Sequence, residues 1–153
     1  ILNTIKAHVD YSDVEEVTFE ANPDDINSTK LVEWKESGIN RLSIGLQSFR
    51  QVDLDWMNRA HNADEGEISI RLAQEYGFTN LTVDLIYGLP DLSEDEWREH
   101  VQRLCDLNVP HISAYCLTVE QKTALHRRKT GCRHDNRRAA GSAAVVYIVH
   151  LLT

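Results

Sequence analysis

The sequence predicts an α/β fold in which about four βα units surround one parallel sheet, and three observations carry that expectation. Four short β-prone runs recur, at residues 17–21, 41–46, 81–87 and 111–116. Between them lie segments with helix caps and apolar stripes. The strand starts are 24 to 40 residues apart, room each time for a helical crossover, and such strand–helix–strand units close right-handed around parallel strands.

The elements can be justified in chain order. Leu2, Ile5 and Val9 fall at helical spacing and read as the end of a helix that precedes the first strand. After the run VTFEA, Asn27 can accept a bond from the first free N–H groups of a helix that puts Leu31 and Trp34 on one side. Gly38 stops that helix, because the left-handed residue after a helix end is least strained as glycine. RLSIGL at 41–46 follows as a strand, and a short helix is expected over 53–58. Asn62 caps the next helix, with Ile68, Leu72 and Tyr76 as its expected buried stripe and Gly77 as its stop. After the strand at 81–87, Ser93 and Glu96 form a capping box, and Trp97, Val101 and Leu104 mark the helix face turned to the core. The last strand is HISAYC at 111–116.

Composition narrows the function classes. The 153 residues are 42% hydrophobic and 26% charged, the balance of a globular protein rather than a collagen, a disordered tail or a disulfide scaffold. No run of about 18 apolar residues is present to span a bilayer, and the first ten residues resemble neither a signal peptide nor a transit peptide, so a cytoplasmic protein is expected. The chain opens on Ile1 with Met57 as its one methionine, which predicts an internal start. Residues 1–125 hold 10 Lys and Arg against 23 Asp and Glu, a poor surface for phosphate backbones, and no nucleic-acid partner is expected. Residues 126–138 hold six basic residues and one acid, and residues 139–153 no charged side chain. Two regions are therefore expected: a folded body over 1–125, and a tail over 126–153, truncated or out of frame.

Charged groups inside strands buried on both faces need a reason. Glu20 and Asp84 are two such groups, and both fall toward the carboxyl ends of their strands, as do Gln47, Tyr115 and Thr118. In barrels and open α/β sheets that rim is where ligands bind. Each acid alone could simply pair with an arginine or cap a helix, but two acids and a glutamine at three strand ends favour a site. His61 and His111 have no carboxylate or thiolate at ligand spacing and are expected to be surface or supporting histidines. Cys105, Cys116 and Cys132 are too far apart for a zinc or iron–sulfur motif, so no metal ligand is expected. No G-x-S-x-G elbow occurs, and no catalytic residue can be named.

Five ordered strings carry a resemblance: EANPDD at 20–25, GINRLSIGLQSF at 38–49, NRAHNA at 58–63, VDLIYGLPDLSEDEW at 83–97 and HISAYCLTVE at 111–120. Together they resemble the radical S-adenosylmethionine (SAM) enzymes of the oxygen-independent coproporphyrinogen III oxidase family. GLQSF, RAH and LTVE make the likeness stronger to its haem-chaperone (HemW-like) branch. The resemblance covers about residues 1–130 and implies a partial TIM-type (β/α)6 barrel, incomplete at about four units. It further implies that Glu20 binds a first S-adenosylmethionine, that Gln47, Arg59 and Asp84 hold a second, and that Thr118 lies at a backbone contact of that second site. Haem or a porphyrin is an implied ligand. The family's C-x-x-x-C-x-x-C loop, which ligates a 4Fe-4S cluster, is absent from this sequence, so the chain is expected to be a fragment of its parent and inactive alone. A fragment of the oxidase itself, from porphyrin biosynthesis, and a noncatalytic α/β binding module are the two alternatives.

Overall fold

The computed structural model describes residues 1–118 and, as a strand, residues 147–150. Its sheet holds β1 (Thr18–Ala21), β2 (Arg41–Gln47), β3 (Asn80–Tyr87) and β4 (His111–Cys116) side by side in chain order and parallel throughout. A doubly wound sheet would reverse direction at a switch point. Here every crossover moves the same way, which puts the helices on one face, as in a barrel wall. The expected α/β fold, a partial TIM-type barrel of about four units, is what forms.

The helices are α1 (Leu2–His8), α2 (Ser28–Glu36), α3 (Gln51–Met57), α4 (Ala63–Glu75) and α5 (Glu94–Asp106), with a 3-10 turn at Pro23–Asp25. Their starts follow from the caps. Asn27 Oδ1 accepts from the Lys30 amide at 3.0 Å, and Asn62 with Glu65 and Ser93 with Glu96 form two complete capping boxes. The core lies between helices and sheet. Leu42, Ile44 and Leu46 of β2 and Leu81, Val83 and Leu85 of β3 are fully buried against Leu31 of α2, Ile70 and Ala73 of α4 and Leu104 of α5.

Two features differ from the sequence expectation. On α4 Leu72 and Tyr76 of the expected stripe pack half-buried against the core, but Ile68 is 61% exposed, and Gly66, Ser69, Ile70 and Ala73 are the buried positions. The cause is close approach, because a Cβ on Gly66 would collide with Leu46 Cδ1, so the helix meets β2 along its glycine side. Periodicity read from the large apolar residues misses a contact made by the smallest. Secondly, within the region expected to be a tail, β5 (Tyr147–His150) runs antiparallel along β4, with Ile112 opposite Val149 and Ala114 opposite Tyr147. A strand edge offers a row of unpaired N–H and C=O groups, which an apolar, β-branched segment can satisfy. The rest of the expected tail, including Cys132, lies outside the described residues.

Gly66→Ala should destabilise the chain by about 1–3 kcal/mol through overpacking against Leu46, read as a lower urea midpoint at unchanged slope. Ile68→Ala, on the exposed side of the same helix, should change the unfolding free energy by roughly 0.5 kcal/mol or less.

Candidate functional site

Strand alternation sorts β2 into two faces. Leu42, Ile44 and Leu46 turn to the helices, while Arg41, Ser43, Gly45 and Gln47 alternate with them on the other side and remain partly exposed. The register continues that second face across the sheet, with Glu20 opposite Ser43, Ser43 opposite Thr82 and Asp84 opposite Ser113. The face without helices is therefore polar. Its amino-terminal end is tied shut by Arg41, whose guanidinium donates to Glu16 at 2.9 Å and to Thr82 at 2.7 Å and lies 3.2 Å from His111 Nδ1.

At its carboxyl end the face opens into a pocket of about 310 Å³ walled by Glu20, Asn22, Ser43, Gln47, Arg59 and Asp84. Four of the five residues singled out in the sequence thus meet in one cavity: Glu20 from β1, Gln47 from the end of β2, Asp84 from β3 and Arg59 from the loop after α3. Thr118 is not among its walls; its hydroxyl donates to the Cys116 carbonyl at 3.3 Å.

The charges in the pocket are not paired with one another. Arg59 Nη2 donates to Asn22 Oδ1 at 2.8 Å and to the Gly45 carbonyl at 3.3 Å, and no ion pair joins it to Glu20 or Asp84. Burial pushes the Asp84 carboxyl above the usual aspartate range. Hydroxyl bonds from Ser43, at 3.4 Å, and Ser113 oppose that shift, whereas the Glu20 carboxylate adds to it. Arg41, outside the pocket lining, also acts against the Asp84 shift. With no ion pair inside the pocket, the two carboxylates beside a guanidinium with donors to spare suit a zwitterionic ligand carrying an ammonium and a carboxylate.

Some of this framework was not evident from sequence. Asn22 directs Arg59, and a Cβ on Gly45 would come within 3.0 Å of Gln47 Nε2 and 3.4 Å of Arg59 Nη2, so the bare backbone there admits both side chains. The signal for Gly45 is its place in the period-two run S-I-G-L-Q; Asn22 lies within the string EANPDD, which gives it no role of its own. His61, expected at the surface or in support, is buried at 2% exposure with Nε2 3.0 Å from the Leu46 carbonyl.

The sequence model of the Radical SAM superfamily matches residues 1–104. The chain belongs to that superfamily. It is 34% identical over 128 residues to the haem chaperone HemW of Escherichia coli (strain K12), covering 84% of this chain and 34% of that protein. To HemW of Bacillus subtilis (strain 168) it is 38% identical over 115 residues, with 75% and 30% covered. Among solved structures it superposes on the radical SAM coproporphyrinogen III oxidase HemN of Escherichia coli with a TM-score of 0.65 at 29% identity, covering 74% of this chain and 26% of that one. The chain spans about a third of the length of the curated relatives it matches. The expected family, its likeness to the haem-chaperone branch and the partial barrel all stand.

Radical SAM proteins as a family combine S-adenosylmethionine with a 4Fe-4S cluster. Among the described residues no three His, Cys, Asp or Glu side chains are grouped to hold a metal, and Cys105 on α5 and Cys116 at the end of β4 do not supply the family's thiolate set. Nor is any helix among them long and apolar enough to cross a membrane.

Two outcomes test this description. A raised folded-state pKa means that folding disfavours the charged carboxylate; that penalty is absent well below the ordinary value of 3.8 and complete once the pH has passed the folded value. Asp84→Asn should therefore be more stable than the native chain at pH 7, with the gain shrinking as the pH falls toward 3.8, measured by urea unfolding across that range. Anaerobic reconstitution with iron and sulfide should leave the chain without the broad absorbance near about 400 nm of a thiolate-bound cluster.

Proposed function

We propose that this chain supplies an S-adenosylmethionine-binding rim of a haem-chaperone-like radical SAM protein. The observation that supports it is the convergence of Glu20, Gln47, Arg59 and Asp84 on one pocket, at the strand ends where barrel ligands bind. The resemblance assigns Glu20 to a first S-adenosylmethionine and Gln47, Arg59 and Asp84 to a second. Because the four wall one pocket, this reading gives them a single molecule, with its methionyl ammonium and ribose hydroxyls on the two carboxylates, its methionyl carboxylate on Arg59 and a facing polar edge on Gln47. Thr118 belongs to the same proposal through its backbone. The pocket volume lies at the small end of the range for organic ligands, fit for one such molecule held at an open rim.

The cofactor supplies, in the family, a sulfonium whose reductive cleavage yields a carbon radical; the residues of this chain orient and neutralise its polar groups. Haem, named in the relatives HemW, is the proposed cargo of the whole protein. The division at residue 125 into a barrel part and a tail is part of the same reading, with β5 of the tail adding to the sheet edge beside β4. The likeness to HemN favours a second reading, in which the parent is an oxidase acting on coproporphyrinogen III with the same rim.

Calorimetric titration of the chain with S-adenosylmethionine should show one-site binding. Arg59→Ala and Asp84→Asn should each weaken it roughly ten- to hundredfold, the effect of losing a charged hydrogen bond, while circular dichroism stays unchanged. Absence of binding, or affinity indifferent to both substitutions, would overturn the proposal.

A further inference from the structure

Gln47 has a left-handed backbone, φ 71°, which is strained for a residue with a side chain. Around it the chain closes a three-residue turn in which the Ser48 amide donates back to the Leu46 carbonyl at 2.9 Å. That carbonyl has a second partner, His61 Nε2 at 3.0 Å. Because a carbonyl only accepts, Nε2 carries the hydrogen. The other ring nitrogen, Nδ1, is buried without a hydrogen-bond partner and faces Asp24 Oδ1 at 4.0 Å, on the 3-10 turn next to Asn22. His61 itself stands two residues after Arg59.

One buried ring thus touches the turn that presents Gln47, faces the turn beside Asn22, and anchors the loop that bears Arg59. An apolar residue of similar bulk would fill the space, and only an N–H donor would hold the strand end to the loop. We propose that His61 is a positioning residue for the rim: through its bond to the Leu46 carbonyl it keeps Gln47 and Arg59 in register across the pocket. The consequence for binding rests on the reading of that rim as an S-adenosylmethionine site; the consequence for the turn does not.

The test uses the full chain with His61→Leu, which fills the space without a donor, and His61→Gln, whose amide N–H can reach the place of Nε2–H. Without ligand, hydrogen exchange at the Ser48 amide should speed up roughly fivefold or more in His61→Leu and stay near native in His61→Gln, while the Val83 amide in β3 is unchanged in both. With S-adenosylmethionine in equilibrium dialysis, His61→Leu should bind about five- to tenfold more weakly and His61→Gln within about twofold of native. Adding His61→Leu to Arg59→Ala should then weaken binding by less than it does alone, because the two act on the same contact. Equal behaviour of the Leu and Gln variants, or full additivity with Arg59→Ala, would overturn the proposal. So would an Nδ1–H tautomer in the ring ¹⁵N spectrum of the native chain, a measurement that needs no variant to fold. If the native chain does not bind S-adenosylmethionine yet the exchange pattern holds, the cofactor reading fails and the positioning role stands.

Discussion

The alternation of side chains along β2 is the constraint on which the rest of the structure depends. Leu42, Ile44 and Leu46 have no exposure and take the whole contact with the helix layer, so Ser43, Gly45 and Gln47 are left on the opposite face. A register slip of one residue would bury a glutamine among leucines and empty the pocket at the same time. Core and site are in that sense one pattern read from two sides. Because β1 and β3 pair with β2 in parallel, Glu20, Ser43 and Thr82 fall in step across three strands. The register then shifts before Gln47, which lies opposite Leu85, and Asn22 and Arg59, from the segments after β1 and α3, complete the pocket wall.

The helix layer serves this arrangement by coming close. At Gly66 the backbone of α4 meets Leu46, the residue before Gln47, and the loop leading into α4 brings Arg59 and His61 down over the end of β2. Substitutions in this packing would reach the pocket through the position of the strand end, whereas the distant network of Arg41, Glu16, Thr82 and His111 braces the sheet at its other end.

Much of this could be read in the sequence, for local reasons. Asn27, Asn62 and Ser93 announce their helices because a cap acts within three residues, and the strands show as β-branched runs between glycine stops. Glu20, Gln47 and Asp84 stood out because polar groups in buried strands are costly, and Arg59 through the likeness of its motif to a family. What escaped depends on contacts between distant segments. Whether Ile68 or Gly66 faces the sheet is settled by Leu46, twenty residues earlier, and the role of Asn22 by an arginine 37 residues later. Spacing along α4 gave no sign of the first, and the string EANPDD set Asn22 near Glu20 without pointing to Arg59 as its partner. For His61 the sequence leaves a surface and a supporting place open, and the buried supporting one could not be singled out because its partner is a main-chain oxygen, which leaves no trace in composition or spacing.

The tether of Arg59 has a thermodynamic consequence for whatever enters the pocket. With Nη2 already committed to Asn22 and to the Gly45 carbonyl, the guanidinium plane is set before a ligand arrives, and Nε and Nη1 remain to meet it. A free arginine must surrender on the order of 2 kcal/mol of rotamer entropy to make the same contact. Here most of that ordering was completed when the chain folded. The cavity should therefore select among carboxylates by their angle of approach, and its selectivity should change little with temperature, since little disorder is left to lose.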